Sequence, residues 1–257
     1  MSDDLAAPRV NARIGLIIPS SNRLTEPQMR QYAPPGVEVH VTRLRMTGAS
    51  HVPLPELLPR VVEATAALDD ARCDVIVFHC TASSMEAGLA GERRVLEAMR
   101  GATDGSHSTR VATTASAVLA AFEALEVRRL ALVSPYARAT HEHELIFLAE
   151  AGLEVVAERA LELPGSDAYV AEPPATWLSV GEQLMRAAPS AQALFLSCTN
   201  IHSLPVIDRL EARLAERPVV ASNQAVLWYG LRQTGLADRV PGLGRLFGLG
   251  LPVPQLA

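Results

Sequence analysis

Short runs of consecutive apolar residues alternate along the chain with longer stretches whose apolar positions recur every three or four residues. Residues 13–19 read as a strand stopped by Pro19, residues 25–32 as a helix, and residues 37–42 as a second strand. A helix over 55–68 and a third strand over 74–78 complete a βαβαβ order. The strands are apolar throughout and do not alternate with polar residues. Such runs are buried on both faces, which predicts parallel sheets flanked by helices.

The order then recurs. Residues 129–135 form a strand pattern ending at Pro135, residues 153–156 a second strand and residues 193–196 a third. Pro19 and Pro135 are 116 positions apart, Gly36 and Gly152 also 116, and Cys80 and Cys198 are 118 apart. Residues 110–118 and 218–226 correspond as well, each a strand turning into a helix. The pattern predicts a duplicated α/β architecture: two pseudo-symmetric Rossmann-like, flavodoxin-like halves with parallel sheets and an active-site cleft between them. The expected division is 1–118, completed by 219–257, for the first half and 119–218 for the second. The segment 101–108 is the nearest thing to a linker, and 164–176, rich in Pro, Gly and Ala, reads as an irregular excursion near the cleft.

Composition narrows the function. The net charge is −5 and no basic cluster is interleaved with aromatics, so nucleic acid is not an expected partner. The longest apolar runs, 14–18 and 75–78, are too short to cross a bilayer. The start, Met1-Ser-Asp-Asp, lacks the charged and apolar regions of a signal peptide, so a cytoplasmic location without membrane contact is expected. The apolar stretch 111–125 can bury within the chain or against a second copy, and a homo-oligomer is expected. No glycine-rich phosphate loop follows the first strand, so no nucleotide cofactor is expected, and the glycine-rich 241–250 reads as a tail.

Three cysteines cannot pair completely. Cys73, without a counterpart in the other half, reads as a small core hydrophobe. Cys80 and Cys198 each follow an apolar strand and precede a threonine and a polar stretch that begins a helix. Backbone N–H groups at a helix start favour a thiolate and can receive a carboxylate or enolate oxygen. Ligands of open parallel sheets bind beyond the carboxyl ends of the strands. The residues expected there are Pro19, Ser20, Ser21 and Asn22, Cys80, Thr81 and Ala82, Tyr136, and Cys198, Thr199 and Asn200. Asn22 and Tyr136 are read as carboxylate donors or as cap and packing residues, and Thr81, Thr199 and Asn200 as donors or helix caps. His79 adjoins Cys80, and His202 lies four residues after Cys198. Neighbours on a strand point to opposite faces, however, and no C-x-x-C or H-x-x-x-H spacing occurs, so no metal site is expected.

An early strand with Pro-Ser-Ser-Asn, a first Cys-Thr, a mid-chain Ser-Pro-Tyr, a later Ser-Cys-Thr-Asn and a final Pro-Val-Val-Ala-Ser-Asn-Gln-Ala-Val-Leu-Trp stand in this order. Together they resemble the maleate cis-trans isomerase and arylmalonate decarboxylase branch of the aspartate/glutamate racemase superfamily, from about residue 13 to 228. The resemblance implies a small carboxylic acid substrate and no cofactor. It implies that Cys80 attacks an alkene carbon and that Cys198 supplies and removes a proton on the neighbouring carbon. Asn22, Tyr136 and the backbone near Thr81 and Thr199 would hold the carboxylates. The decarboxylases have glycine at the first cysteine position and a serine donor where this chain has Ala82, so isomerisation is favoured. An asparagine expected within 164–176 is missing; Ser166, Asp167 and Tyr169 stand there instead, and an acidic residue in the pocket would repel a dicarboxylate. Three alternatives remain: a two-base racemase of an amino acid or hydantoin, a decarboxylase using Cys198, and a non-catalytic binder of small acids.

Overall fold

The computed structural model describes residues 9–46 and 52–252; the acidic start Met1 to Asp4 lies outside the described residues. The first half runs β1 (Ala12–Pro19), α1 (Thr25–Tyr32), β2 (Val37–Leu44), α2 (Leu54–Asp70), β3 (Val75–Phe78), α3 (Thr81–Met85), α4 (Gly88–Gly101), β4 (Arg110–Thr113) and α5 (Thr114–Ala124). The second runs β5 (Arg129–Ser134), α6 (Arg138–Glu150), β6 (Glu154–Ala160), α7 (Ser166–Ala171), α8 (Pro174–Ala187), β7 (Ala193–Leu196), α9 (Ile207–Arg213), β8 (Val219–Ala221) and α10 (Ser222–Gln233). Each half contains one four-stranded parallel sheet. The strand orders are β2-β1-β3-β4 and β6-β5-β7-β8, so the duplication legible in the spacing is a duplication of topology.

The pleat sorts the apolar runs into layers. Ile14, Leu16 and Ile18 of β1, with Val75 and Val77 of β3, face a core shared with the second half, while Ile17, Ile76 and Phe78 face α2 and α4 through Leu57, Val61, Leu68, Val95 and Met99. Cys73 lies in this outer layer, fully buried, as its bland reading requires. Gly36 and Gly152, at equivalent turns before β2 and β6, hold φ of +82° and +77°, a region that disfavours side chains; a Cβ at Gly36 would also meet Asn11 at 2.5 Å.

The halves interlock through their last helices. Phe122 of α5 packs edge-on against Phe195 of β7 at 5.7 Å, and α10 lies on α5, α1 and β3. Gly230 sits so close to Ile14 that an added Cβ would approach it to 2.8 Å. The apolar surface of α5 is thus largely used inside the chain. The expected division needs one shift, because Val219–Ala221 hydrogen-bonds to β7 and belongs to the second sheet, whereas the helix after it lies with the first half. The segment 101–108 is a loop within the first half between α4 and β4, and 164–176 is helical in α7 and at the start of α8. The glycine-rich tail packs on α10: Leu243, Leu246 and Phe247 are buried, and the Trp228 indole donates to the Leu249 carbonyl. Among the described residues no helix is long and apolar enough to cross a membrane.

Candidate active site

The strand order reverses direction at β1 and β3 in the first sheet, and at β5 and β7 in the second. Helices leave opposite faces there and open a crevice beyond the strand ends. The loops that follow these four strands carry Pro19 to Asn22, Cys80, Tyr136 and Cys198. They line one cavity of about 280 Å³ with Thr199, Asn200, Ala82, Ser83 and Ser21, walled by Met46, Leu163, Pro164 and Tyr169. Both cysteines therefore open on the same chamber from different halves.

Each sulfur has one backbone N–H and one hydroxyl beside it. Cys80 is the N-cap of α3 with extended backbone, and Ser83, three residues on, approaches its sulfur with its N–H and with Oγ at 3.3 Å. Cys198 has φ +138°, a strained value for a non-glycine residue, which turns its sulfur back to accept the Asn200 N–H at 3.3 Å and the Tyr136 hydroxyl. The expectation of a helix start after Cys198 is not met: a turn follows, and α9 begins only at Ile207. Its electrostatic support comes from the turn and from Tyr136. Burial nevertheless dominates, pushing the Cys198 thiol up to about 12 and raising Cys80 above its ordinary value. A charge on Cys80 raises Cys198 further, so the pair accommodates one negative charge far more readily than two.

Two adjacent residues at the start of α10 fasten the loops together. Ser222 Oγ accepts the Thr81 hydroxyl at 2.8 Å and the Cys198 N–H at 3.2 Å. Asn223 Oδ1 accepts from His79 Nε2 at 2.8 Å, and its Nδ2 donates to the Thr199 carbonyl at 3.1 Å and to Gln28. His79 is completely buried, and burial lowers it to about 4, so it acts as a neutral strut between Asn223 and Thr114. The metal reading of His79 has no geometry to support it. Away from the cavity, Asp69, Asp104 and His107 bring three possible ligand atoms within 4.8 Å, but Arg72 already reaches His107 Nδ1 at 3.0 Å and Asp104 at 3.9 Å.

Several expected site residues are used differently. Asn22 is buried; its Oδ1 takes the Leu24 and Thr25 N–H groups, and its Nδ2 donates to Thr25 and Thr199, so the cap reading describes most of its bonds although it also lines the cavity. Thr81 points to Ser222 and does not line the cavity. Ser20 is likewise turned away, its hydroxyl exchanging hydrogen bonds with Met46, whereas Ser21 lines the cavity and receives the Ser166 hydroxyl. Asn200 Oδ1 accepts the Arg23 N–H, and its Nδ2 is buried without a partner in the protein, leaving a donor at the cavity wall. Asp167 is not in the cavity: its carboxylate is solvent-exposed and pairs with Arg23 at 2.7 Å, so it is not the repulsive group expected. Glu86 and Glu162 do line the wall, together with Thr140, and among the described residues no Arg, Lys or His does.

Sequence reasoning missed Ser83, since Cys80 at the N-cap makes no side-chain cap bond and no capping box marks the position three residues on. It also passed over Ser222 and Asn223 as functional residues; they stood in the motif without a role.

Comparison with known proteins agrees with this geometry. The family model described as arylmalonate decarboxylase matches residues 14–247. A maleate isomerase of Nocardia farcinica is 33% identical over 246 residues, covering 91% of this chain and 94% of that protein. An arylmalonate decarboxylase of Bordetella bronchiseptica is 33% identical over 192 residues, covering 74% of this chain and 78% of that protein. Among solved structures, a mutant of the Nocardia farcinica maleate cis-trans isomerase with a covalently bound succinylcysteine intermediate superposes with a TM-score of 0.80 at 30% identity, covering 92% of this chain and 98% of the other. With nearly its whole length matched and two cysteines in one interdomain cavity, the chain belongs to the arylmalonate decarboxylase family, within the branch of the aspartate/glutamate racemase superfamily that also holds the maleate isomerases.

Proposed function

We propose that this enzyme is a cofactor-independent isomerase of a small unsaturated dicarboxylic acid of the maleate class, working through a covalent Cys80 adduct with Cys198 as acid and base. The observation that carries the reading is the pairing of two thiols in one cavity, each beside its own N–H and hydroxyl donors. The succinylcysteine intermediate of the related isomerase supports a covalent route.

Cys80, which keeps some exposure to the cavity, loses its proton to water and attacks one alkene carbon. A carbon–sulfur bond forms as the π pair moves onto the adjacent carboxylate. Cys198 then protonates the neighbouring carbon, and its new thiolate is held by Asn200 N–H and the Tyr136 hydroxyl. Rotation about the resulting single bond precedes return of that proton to the Cys198 thiolate and expulsion of Cys80 as a thiolate, which regains its proton from water. The described residues of the wall include no cation, so carboxylates there need neutral donors, and Asn200 Nδ2 and Thr140 supply them. The reading includes a cytoplasmic location and a homo-oligomer, the latter tested by light scattering.

Proton NMR in deuterated water with maleate, substituted maleates, arylmalonates and amino acids separates the chemistries. Isomerisation appears as a trans alkene signal that both Cys80→Ala and Cys198→Ala abolish. Activity surviving Cys80→Ala with carbon dioxide loss indicates a decarboxylase, and deuterium entering an amino acid α-carbon indicates a racemase.

A further inference from the structure

Glu144 sits on α6 with no solvent exposure, yet the chemistry above does not use it. Its Oε1 accepts the hydroxyl of Ser197, the residue immediately before Cys198, and its Oε2 is buried without any partner. Among the described residues no cation pairs with it. The nearby His141 is taken by Glu158 at 2.9 Å and by Ser134, and Arg138 pairs at the surface with Glu142 and Glu158. Towards α3, α6 meets Glu86, 3.9 Å from His143, with Cys80 at the N-cap of α3 within reach of the Glu144 charge; towards α4 it meets Leu89, whose N–H binds Glu150; towards β6 it meets Glu158. The remaining ionisable groups around the carboxyl are Cys198, Tyr136 and Tyr169, and a charge on Glu144 raises all three as well as Cys80.

A buried, uncompensated carboxyl with one empty oxygen has little reason to persist on packing grounds alone. We propose that Glu144 is a charge-setting positioning residue for the Cys80 and Cys198 pair: anchored through Ser197, it stays protonated while one sulfur carries the negative charge, and its ionisation suppresses that charge. Burial raises Glu144 to about 8, opposed by the Ser197 hydrogen bond, so the acid is neutral at neutral pH and loses its proton only in mild alkali. The enclosure then holds one negative charge at a time, on Cys80, on Cys198 or on Glu144. This inference rests on the two-thiol reading of the cavity, but its test needs no substrate.

Alkylation of Cys80 and Cys198 by iodoacetamide, followed by peptide mass spectrometry from about pH 6 to about pH 10, reads the thiolate population directly. In the wild type the rate climbs with pH and then lags above about pH 8, where Glu144 ionises. In Glu144→Gln the lag disappears, so the rate above that pH exceeds the wild type by about three- to tenfold while the two profiles converge below it. Ser197→Ala, which removes the bond that favours the carboxylate, moves the lag to higher pH. Glu144→Gln and wild-type profiles that run parallel across the whole range, or a variant slower in alkali, overturn the proposal. If Glu144→Gln does not fold, an unmoved lag in Ser197→Ala overturns it independently. Loss of the isomerase reading in the NMR panel leaves this result standing on its own.

Discussion

At the scale of single residues, the two sulfurs owe their character to opposing terms. Burial pushes both thiols up, and the neighbouring N–H and hydroxyl donors pull them down without prevailing. The resting site is therefore a pair of thiols that becomes reactive as charge is transferred to it. Tyr136 is the side chain most directly tied to Cys198, and its own hydroxyl is raised well above the ordinary tyrosine range, mainly by burial. Tyr136→Phe should therefore lower kcat by about ten- to a hundredfold with KM little changed, because a hydrogen bond to a developing thiolate is worth about 1.5–3 kcal/mol. Steady-state kinetics on the active acid checks this, and an equal loss confined to KM would assign Tyr136 to binding alone. That Cys80, Cys198, Tyr136 and Asn200 line the cavity was legible, because a strand-end position limits what a polar residue there can face. Ser20, Thr81 and Asp167 were not, since a one-position difference in a turn decides whether a side chain enters the cavity.

At the scale of elements, the N-terminus of α10 acts as a clasp. Ser222 and Asn223 connect the loop after β3 to the loop after β7, so the separation of the sulfurs depends on a helix that belongs by sequence to one half and by packing to the other. Ser222→Ala leaves the Cys198 N–H and the Thr81 hydroxyl without their buried acceptor. It should destabilise the fold by about 1–3 kcal/mol, measured by urea unfolding, and should reduce kcat as well. An unchanged unfolding midpoint would mean that the clasp bears no strain. The strands were readable from their unbroken apolar runs, and α1 from its periodicity. The expected division already assigns 219–257, and with it α10, to the first half; the packing of α5 on the second sheet is not legible, because an apolar pattern states that a face is buried without stating against what.

At the scale of the whole molecule, two buried ionisable groups lean on stability from opposite sides. His79, depressed from 6.5 to about 4, contributes stability that is present above 6.5 and lost as pH falls through about 4. Glu144, raised from 4.5 to about 8, contributes stability present below 4.5 and lost as pH rises through about 8. The slopes oppose each other between 4.5 and 6.5. Their summed contribution to the unfolding free energy is thus nearly flat there, with the Glu144 decline showing between 6.5 and 8. Urea titrations at each pH check this: His79→Gln should expose the decline from 4.5 upward, and Glu144→Gln should turn the flat region into a rise. The duplicated architecture was readable from matched spacings, and it carries the main functional consequence, a chamber served by one thiol from each half. The measurement that tests this most directly is intact and peptide mass spectrometry of Cys198→Ser incubated with maleate. The predicted result is an adduct with the mass of the whole acid on Cys80; an unmodified Cys80 in a variant that still converts the acid would contradict the account.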